Sequence, residues 1–166
     1  MEEIMLAETL TPAHILSNAH RFIETYHTVL QPLCRESGLP PMAVDILLFV
    51  ANNGDHATAR DICQCRGFKP AIVSVHIDRL VGEGLLERQA VPGDRRKTRL
   101  VCTDRAEPIV QKGRQIQQGF ARKITDGISR EDFQAFHRAM NQLDRNIQEI
   151  RQNGLDHLDT EERTKP

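Results

Sequence analysis

Hydrophobic residues recur at helical spacing in two long segments, one near each end of the chain. The first segment follows Thr11-Pro12, a capping residue with proline at the first helical position, and its apolar residues run from Ile15 to Leu33. The second follows Ser129 and Asp132, a capping-box pair. Its apolar residues are Phe133, Phe136, Met140, Leu143, Ile147 and Ile150. Their steps of three and four are typical of a helix that packs along a seam, so a long packing helix is predicted near each terminus.

Two shorter helices are predicted next along the chain. One begins at Pro41 and stops at Asn53-Gly54. The other begins where Thr58 and Asp61 form a capping-box-like pair. It lasts about two turns and ends before Gly67, a residue type that suits the left-handed position after a helix.

A further helix is predicted to begin at Lys69-Pro70 and to end at Gly82 and Gly84. Its inward face is predicted to consist of Ile72, Val73, His76, Ile77 and Leu80. Two short helices joined by a tight turn that contains glycine form a helix-turn-helix. The pattern therefore predicts a helix-turn-helix in the middle of the chain.

The pattern then changes from helical to strand-like. Leu85–Ala90 and Thr98–Cys102 are short, partly alternating segments that predict strands, and the turn between them, Val91–Lys97, is rich in positive charge. A hairpin with a basic tip directly after a helix-turn-helix is a wing. Thr103-Asp104 is then predicted to cap a fifth helix that Gly127 ends.

The charge of the chain is segregated, although the formal net charge is only −1 and the sequence pI is about 6.7. Between Arg60 and Arg99 there are nine basic and five acidic residues, which leaves that stretch at +4 and the remainder at −5. A locally basic stretch is compatible with nucleic-acid binding even where the whole chain is not basic.

Other function classes find little support in the sequence. No glycine-rich phosphate loop, G-x-S-x-G or H-E-x-x-H motif occurs, so the chain is not predicted to be an enzyme, and no metal or cofactor is expected. No secretory signal opens the chain, and no apolar run is long enough for a membrane span. We therefore expect a cytoplasmic protein without a membrane partner, in which the four cysteines are thiols.

The order of elements and the residues themselves resemble the MarR family of winged helix-turn-helix transcription regulators. The resemblance covers roughly residues 12–150 and is densest in AVDILLFVANNG, TARDICQCRGF and KPAIVSVHIDRLVGEGLLERQAVPGDRRKTRLVCTD. It implies a mainly α (α+β) fold, a winged helix-turn-helix with long N- and C-terminal dimerisation helices. The implied regions are an N-terminal dimerisation helix (1–36), a DNA-binding lobe (37–104), C-terminal dimerisation helices (105–152) and a flexible tail (153–166).

The resemblance also implies which residues contact DNA. The helix that begins at Pro70 enters the major groove, with its N-terminal side chains towards the base edges. Thr58 and Arg60 are expected to contact phosphates, which fix the register without reading sequence. The side chains expected to face the groove are those of Lys69, Pro70, Ala71, Ser74 and Val75.

The wing is expected to lie beside the minor groove, where narrow A·T-rich DNA attracts inserted arginine. Arg96 is the expected inserted residue, with Asp94 paired to it and fixing its direction. Arg95 and Lys97 are expected to contact phosphates. A winged helix that serves as a protein-interaction module without DNA affinity is the alternative, and in that case these basic residues tolerate substitution.

Two copies of the chain are expected to form a homodimer through the terminal helices, on a palindromic site with recognition helices about one DNA turn apart. The family resemblance implies a repressor that responds to a small aromatic effector, with His20, Tyr26, His27 and Met42 as candidate contacts. Two positions depart from the family pattern. Arg66 replaces an aliphatic residue, and Val75 replaces a polar or basic one. A redox-sensing regulator that uses Cys65 or Cys34 is a further alternative.

Overall fold

The computed structural model describes residues 11–54, 57–91 and 93–155, and of residues 12, 13 and 94–97 the backbone alone. Within these residues there are six α-helices and one two-stranded sheet. In chain order the elements are α1 (Pro12–Ser37), α2 (Pro41–Asn53), α3 (Ala59–Arg66), α4 (Pro70–Gly82), β1 (Leu86–Val91), β2 (Asp94–Cys102), α5 (Glu107–Ile124) and α6 (Arg130–Asn153). The predicted order of a winged helix-turn-helix between two long terminal helices is confirmed.

Local capping chemistry sets the helix boundaries where the sequence predicted them. Thr11 accepts a hydrogen bond from the His14 backbone N–H at the start of α1, and Ser129 accepts one from Asp132 at the start of α6. Each satisfies a backbone donor that has no partner inside the helix. After α3, Gly67 adopts a φ of 66°, a left-handed conformation that costs glycine little.

The wing is longer than the sequence predicted. Strands β1 and β2 pair antiparallel from Leu86 opposite Cys102 to Ala90 opposite Thr98, and the register then shifts so that Val91 lies opposite Asp94. The prediction that residues 94–97 form a turn is therefore wrong, because their backbone belongs to β2. Gly93, with a φ of 85°, provides the positive φ that a tight hairpin connection requires.

A single apolar core holds the winged-helix lobe together, and α2 lies at its centre. Eight consecutive residues of this helix, Ala43–Val50, are buried, as expected for a helix that is covered on every side. Leu30 and Leu33 of α1, Ile62 of α3 and Val110 of α5 belong to the same cluster. The core fixes α3, α4 and the hairpin relative to one another.

Two details of the predicted packing are wrong. Ile72 was expected to face inward, but it is exposed, because Val73, Ile77 and Leu80 already form the buried stripe of α4. Thr103 was expected to cap the fifth helix, but its hydroxyl donates to the Gly84 carbonyl oxygen at 2.6 Å. That hydroxyl fixes the root of the wing, and a short 3₁₀ turn precedes α5 instead.

The chain divides into two compact units, one that ends at Ala121 and one that begins at Arg122. The second unit contains the end of α5 and the whole of α6, a helix with no buried residue. In the described part of the chain, none of the helices combines the length and apolarity that crossing a bilayer requires.

Candidate nucleic-acid interface

The start of α3 is held by a complete capping box. The Thr58 hydroxyl accepts from the Asp61 backbone N–H at 3.2 Å, while the Thr58 backbone N–H donates to the Asp61 carboxylate at 3.0 Å. The same hydroxyl donates its proton to that carboxylate. The side chain of Thr58 is thus occupied within the cap, and the neighbouring Arg60 side chain is exposed. Of these two predicted phosphate contacts, Arg60 is the one with a side chain that points to solvent.

Helix α4 presents a free N-terminal face. It begins at Pro70 after Lys69, which makes no side-chain capping bond. All five residues predicted to face the major groove are exposed: Lys69, Pro70, Ala71, Ser74 and Val75. Val75 is 65% exposed. Ile72, which the sequence analysis assigned to the core, is exposed on this helix as well. An aliphatic pair therefore accompanies the polar side chains at this end of α4.

An open cleft of about 480 Å³ separates the helix-turn-helix from the wing strands. Arg60 of α3, Ser74 of α4, and Arg88 and Thr98 of the hairpin contribute to its lining. The Arg88 guanidinium pairs with the Asp78 carboxylate of α4, which links β1 to α4. The wing and α4 are thus linked in one frame, with basic side chains on both sides of the cleft.

The predicted tip of the wing lies at the end of this frame. The backbone of residues 94–97 continues β2, and the amide nitrogen of Leu100 donates to the Ala57 carbonyl oxygen at 2.9 Å, which links the wing to the segment before α3. The side chains of Asp94, Arg95, Arg96 and Lys97 lie outside the described residues. Their predicted DNA contacts, and the pairing of Asp94 with Arg96, stay predictions.

A buried ion pair lies behind the helix-turn-helix. The Asp45 side chain of α2 is only 4% exposed, and its Oδ2 lies 3.1 Å from Nε of Arg66 at the end of α3. The Arg66 guanidinium also covers the Phe49 ring, 5.2 Å from its centroid. This contact explains how an arginine replaces the aliphatic residue of the family pattern, since its stem and its charge both find a partner in α2. Asp45 was not among the site residues predicted from the sequence, and its position inside an apolar run was the available signal.

Burial raises the pKa of Asp45, and the opposing effects of Arg66, His27 and the Tyr26 hydroxyl offset part of that rise. Its second oxygen, Oδ1, is buried and has no hydrogen-bond partner among the described residues. Buried polar atoms in native proteins are usually paired. The Tyr26 hydroxyl accepts from Gln117 and keeps its own proton, so it is the neighbouring donor that acts on this carboxylate.

A chain of hydrogen bonds runs from this ion pair to α5. The Tyr26 hydroxyl accepts from Gln117 at 2.8 Å, Gln117 accepts from Asn52 at 2.9 Å, and Asn52 accepts from Arg114 at 3.0 Å. Burial raises the pKa of Tyr26, and the bond from Gln117 opposes that rise. The Tyr26 ring packs against Phe120 with 5.6 Å between centroids. Helices α1, α2, α3 and α5 thus meet at one polar cluster with aromatic walls.

The predicted effector contacts are distributed unevenly around this cluster. Tyr26 and His27 are half-buried and both act on Asp45, and Met42 is half-buried against the core. His20 points to solvent, where its ring lies 3.3 Å from the Glu24 carboxylate. The structure therefore brings two of the four residues to Asp45 and places His20 apart from it.

The cysteines differ in exposure and in their acid strength. Cys65 is exposed and Cys63 is half-buried. Burial raises the pKa of the Cys34 thiol, and it raises the pKa of Cys102 to about 11, which leaves little reactive thiolate at neutral pH. Across residues 11–54, 57–91 and 93–155, no group of three or more potential metal ligands is found.

The chain is similar to known proteins both in sequence and in fold. Residues 37–97 match the sequence model of the MarR family. These residues comprise α2, α3, α4, β1 and part of β2, which together form the frame described above. The resemblance predicted from the sequence is thereby confirmed.

Solved structures of similar fold include several regulators of this family. One from Silicibacter pomeroyi is 21% identical with a TM-score of 0.67, covering 82% of this chain and 90% of its own. One from Listeria monocytogenes, solved with a 26mer DNA, is 12% identical with a TM-score of 0.69, covering 80% and 87%. Bordetella bronchiseptica BpsR, whose DNA binding is regulated by 6-hydroxynicotinic acid, is 19% identical with a TM-score of 0.58, covering 81% and 93%. At these identities the likeness establishes the fold.

Proposed function

Because its winged-helix segment, residues 37–97, belongs to the MarR family of transcription regulators, we propose that this chain regulates transcription by binding duplex DNA as a homodimer. The observation that carries the proposal is the free N-terminal face of α4, with five exposed side chains, next to a basic hairpin that Asp78 and Arg88 hold in place. This function belongs in the compartment that contains the genome, the cytoplasm in a bacterial cell.

The exposed side chains make two kinds of contact with DNA in this proposal. Lys69 and Ser74 bond base edges or phosphates, and Ala71 and Val75 contact thymine methyl groups in the major groove, which is about 12 Å wide. Arg60 and the α3 N-terminus contact phosphates. Arg95, Arg96 and Lys97 follow the backbone and minor groove beside the wing. The aliphatic contacts favour operators with thymine at positions that face α4.

Dimerisation is supported by the apolar stripes of the terminal helices. In α6 the six seam residues from Phe133 to Ile150 are 38 to 60% exposed, although all lie on one face. Ile15, Leu16, Phe22 and Ile23 of α1 are exposed too. A twofold partner that covers these stripes contributes about 25 cal/mol per Å² of buried apolar area. Such a dimer reads a palindromic site.

We also propose that a small effector controls DNA binding. The polar cluster of Tyr26, His27, Asp45 and Arg66 joins α1 and α2 to the end of α3. A ligand bound there reaches the helix-turn-helix through one ion pair. In BpsR a small aromatic compound regulates DNA binding, and a repressor released by such a ligand is the form of control that we propose here.

Selection of bound sequences from a random duplex library tests the proposal. The expected product is an inverted repeat whose half-sites are separated by about one helical turn, roughly 34 Å. Replacing Arg96 and Lys97 together by alanine should lower the slope of log K against log salt by about one to two. Arg35→Ala, at the exposed end of α1, removes a single positive charge away from the wing and should leave the slope unchanged. A library without any enriched sequence would contradict DNA recognition and would favour the protein-interaction module.

A further inference from the structure

Helix α4 turns an apolar surface towards solvent in its N-terminal half. Ala71 and Val75 are four residues apart and share one face of the helix, and Ile72 lies three residues before Val75. The side chains of Ile72 and Val75 are 42% and 65% exposed. The core of the lobe is formed without these three residues. Packing within the described part of the chain therefore does not account for this apolar surface.

The charged side chains farther along α4 already have partners inside the lobe. The Asp78 carboxylate pairs with the Arg88 guanidinium of β1. The Arg79 guanidinium donates to the Glu83 carboxylate at 2.7 Å and to the Gly38 carbonyl oxygen at 2.8 Å. A donor or acceptor that serves an internal contact is less free to bond a base edge. The C-terminal half of α4 therefore contributes structural contacts, and the N-terminal half is left to read the DNA sequence.

Polar and basic side chains border this apolar surface. Ser74 lines the cleft towards the wing, and Arg60 of α3 lines the same cleft. Lys69 precedes the first turn of α4 and makes no side-chain capping bond. Positive charge at the edge of an apolar strip matches a DNA groove, in which phosphates border the base edges. The partner whose chemistry fits the strip is therefore the floor of the major groove.

The apolar group on a base edge in the major groove is the C5-methyl group of thymine. 5-Methylcytosine carries the same methyl group at the same ring position, whereas uracil and cytosine carry hydrogen there. Thymine and 5-methylcytosine differ in the neighbouring group, which is an O4 acceptor in one and an N4 donor in the other. A valine side chain has neither a donor nor an acceptor. It contacts the methyl group without distinguishing these two neighbours.

We propose that α4 recognises its half-site through the C5-methyl groups of pyrimidines, with Val75 as the specificity-determining residue and Ala71 and Ile72 beside it. This readout depends on the proposed function and names the class of duplex that the protein binds: one in which 5-methylcytosine takes the place of thymine. Methylation of a cytosine at that position raises the affinity of the protein for the site, and removal of the methyl group from thymine lowers it.

The test uses the full-length chain and the duplex from the selection experiment. Each thymine of the inverted repeat is replaced in turn, in both half-sites, by deoxyuridine, which lacks only the methyl group. At the position that faces Val75 the dissociation constant should rise about tenfold, because a methyl contact is lost in each half-site. At the same position, 5-methylcytosine should bind about tenfold more tightly than cytosine. Deoxyuridine outside the repeat is the control and should leave the dissociation constant unchanged.

Variants assign the methyl contact to Val75. Val75→Ala changes an exposed position, so circular dichroism should show an unchanged fold. The ratio of the dissociation constants for the deoxyuridine and thymine duplexes should fall from about tenfold to about threefold or less. Ser74→Ala removes a hydroxyl on the cleft side of the same helix. It should change the affinity for both duplexes by the same factor, so the ratio stays that of the parent.

Three results would overturn the proposal: deoxyuridine is tolerated at every thymine of the repeat; cytosine and 5-methylcytosine bind alike; or Val75→Ala retains the discrimination of the parent. The comparison of duplexes on the parent chain does not depend on how the variants fold. Sequence-specific binding that persists without any effect of the methyl group leaves the regulator intact and removes only this readout. A selection that enriches no sequence removes the proposed function itself.

Discussion

Helices α2 and α6 both carry apolar side chains at helical spacing, yet one protomer buries those side chains to opposite extents. In α2 eight consecutive residues are buried, while in the longer α6 none is. Helix α2 is apolar around its circumference and is enclosed by its neighbours. Helix α6 is apolar on one stripe only. The comparison teaches that the core of the lobe is complete within one chain, whereas the apolar stripe of α6 requires a second surface.

Truncation of one isoleucine in each helix gives the largest expected effect. Ile46→Ala in α2 removes a side chain that is fully buried and should lower the free energy of unfolding by about 2–5 kcal/mol. Ile147→Ala in α6, where the residue is 55% exposed, should leave the lobe's own stability unchanged and raise the dissociation constant of the dimer. Urea unfolding at several protein concentrations separates the two effects. Equal destabilisation of the lobe by both changes would contradict the comparison.

Two glycines of α5 differ in the space that their surroundings leave for a side chain. A Cβ on Gly113 would clash with a terminal methyl of Leu48, which is fully buried, whereas a Cβ on Gly119 would meet nothing within 4 Å. Gly113→Ala should therefore destabilise by about 1–3 kcal/mol through overpacking. Gly119→Ala should stabilise by about 0.5–1 kcal/mol through helix propensity. Thermal unfolding of the two variants measures the difference, and a stabilising Gly113→Ala would show that Leu48 has room to move.

The capping residues of α3 and α6 allow the same comparison between the lobe and α6, with a smaller expected effect on stability. Thr58→Ala removes the capping box of α3 and should cost about 1 kcal/mol of global stability. Ser129→Ala removes the corresponding hydrogen bond of α6 and should loosen the first turn of that helix only. Amide hydrogen exchange distinguishes a global from a local effect. Loss of protection throughout the lobe in Ser129→Ala would contradict the division of the chain into two compact units.

The smallest expected effect is a pH dependence from Asp45. Burial raises its folded pKa above the ordinary value of 3.8 despite Arg66 and His27, so the folded protein binds this proton more tightly than the unfolded chain. The resulting stability is fully present below the unfolded pKa and is lost as pH rises through the folded pKa. As the pH falls from neutral towards the ordinary carboxyl pKa of 3.8, the parent should therefore gain stability relative to Asp45→Asn. A difference in urea midpoints that stays constant over this range would contradict the assignment.

Local signals in the sequence predicted most of the fold, because capping pairs and apolar spacing act within a few residues. Thr58 with Asp61 and Ser129 with Asp132 marked helix starts that the structure confirms. Two of the failures depend on contacts with another element of the fold. Thr103 bonds Gly84 rather than its own helix, and the extension of β2 depends on pairing with β1.

The candidate site was likewise predicted where its signals are local and missed where they are not. The exposed face of α4 followed from its spacing, since Val73, Ile77 and Leu80 turn the remaining positions outward. The Asp45–Arg66 pair joins residues on different helices. An acid inside an apolar run and an unexpected arginine are each visible in the sequence, but neither one shows that the other is its partner. The pattern of one sequence does not show which residues of different helices come into contact.

The mass of the complex between the chain and its selected duplex tests the central claim most directly, namely that two copies joined by their terminal helices bind one DNA site. Sedimentation of the parent with a labelled duplex should give two chains per duplex, without a stable complex of one chain. Phe136→Asp with Ile147→Asp, on the exposed stripe of α6, should abolish that stoichiometry and leave the winged-helix lobe folded. A parent protein that sediments as a monomer and binds the duplex one chain at a time, or a double variant that still binds as a dimer, would contradict the account.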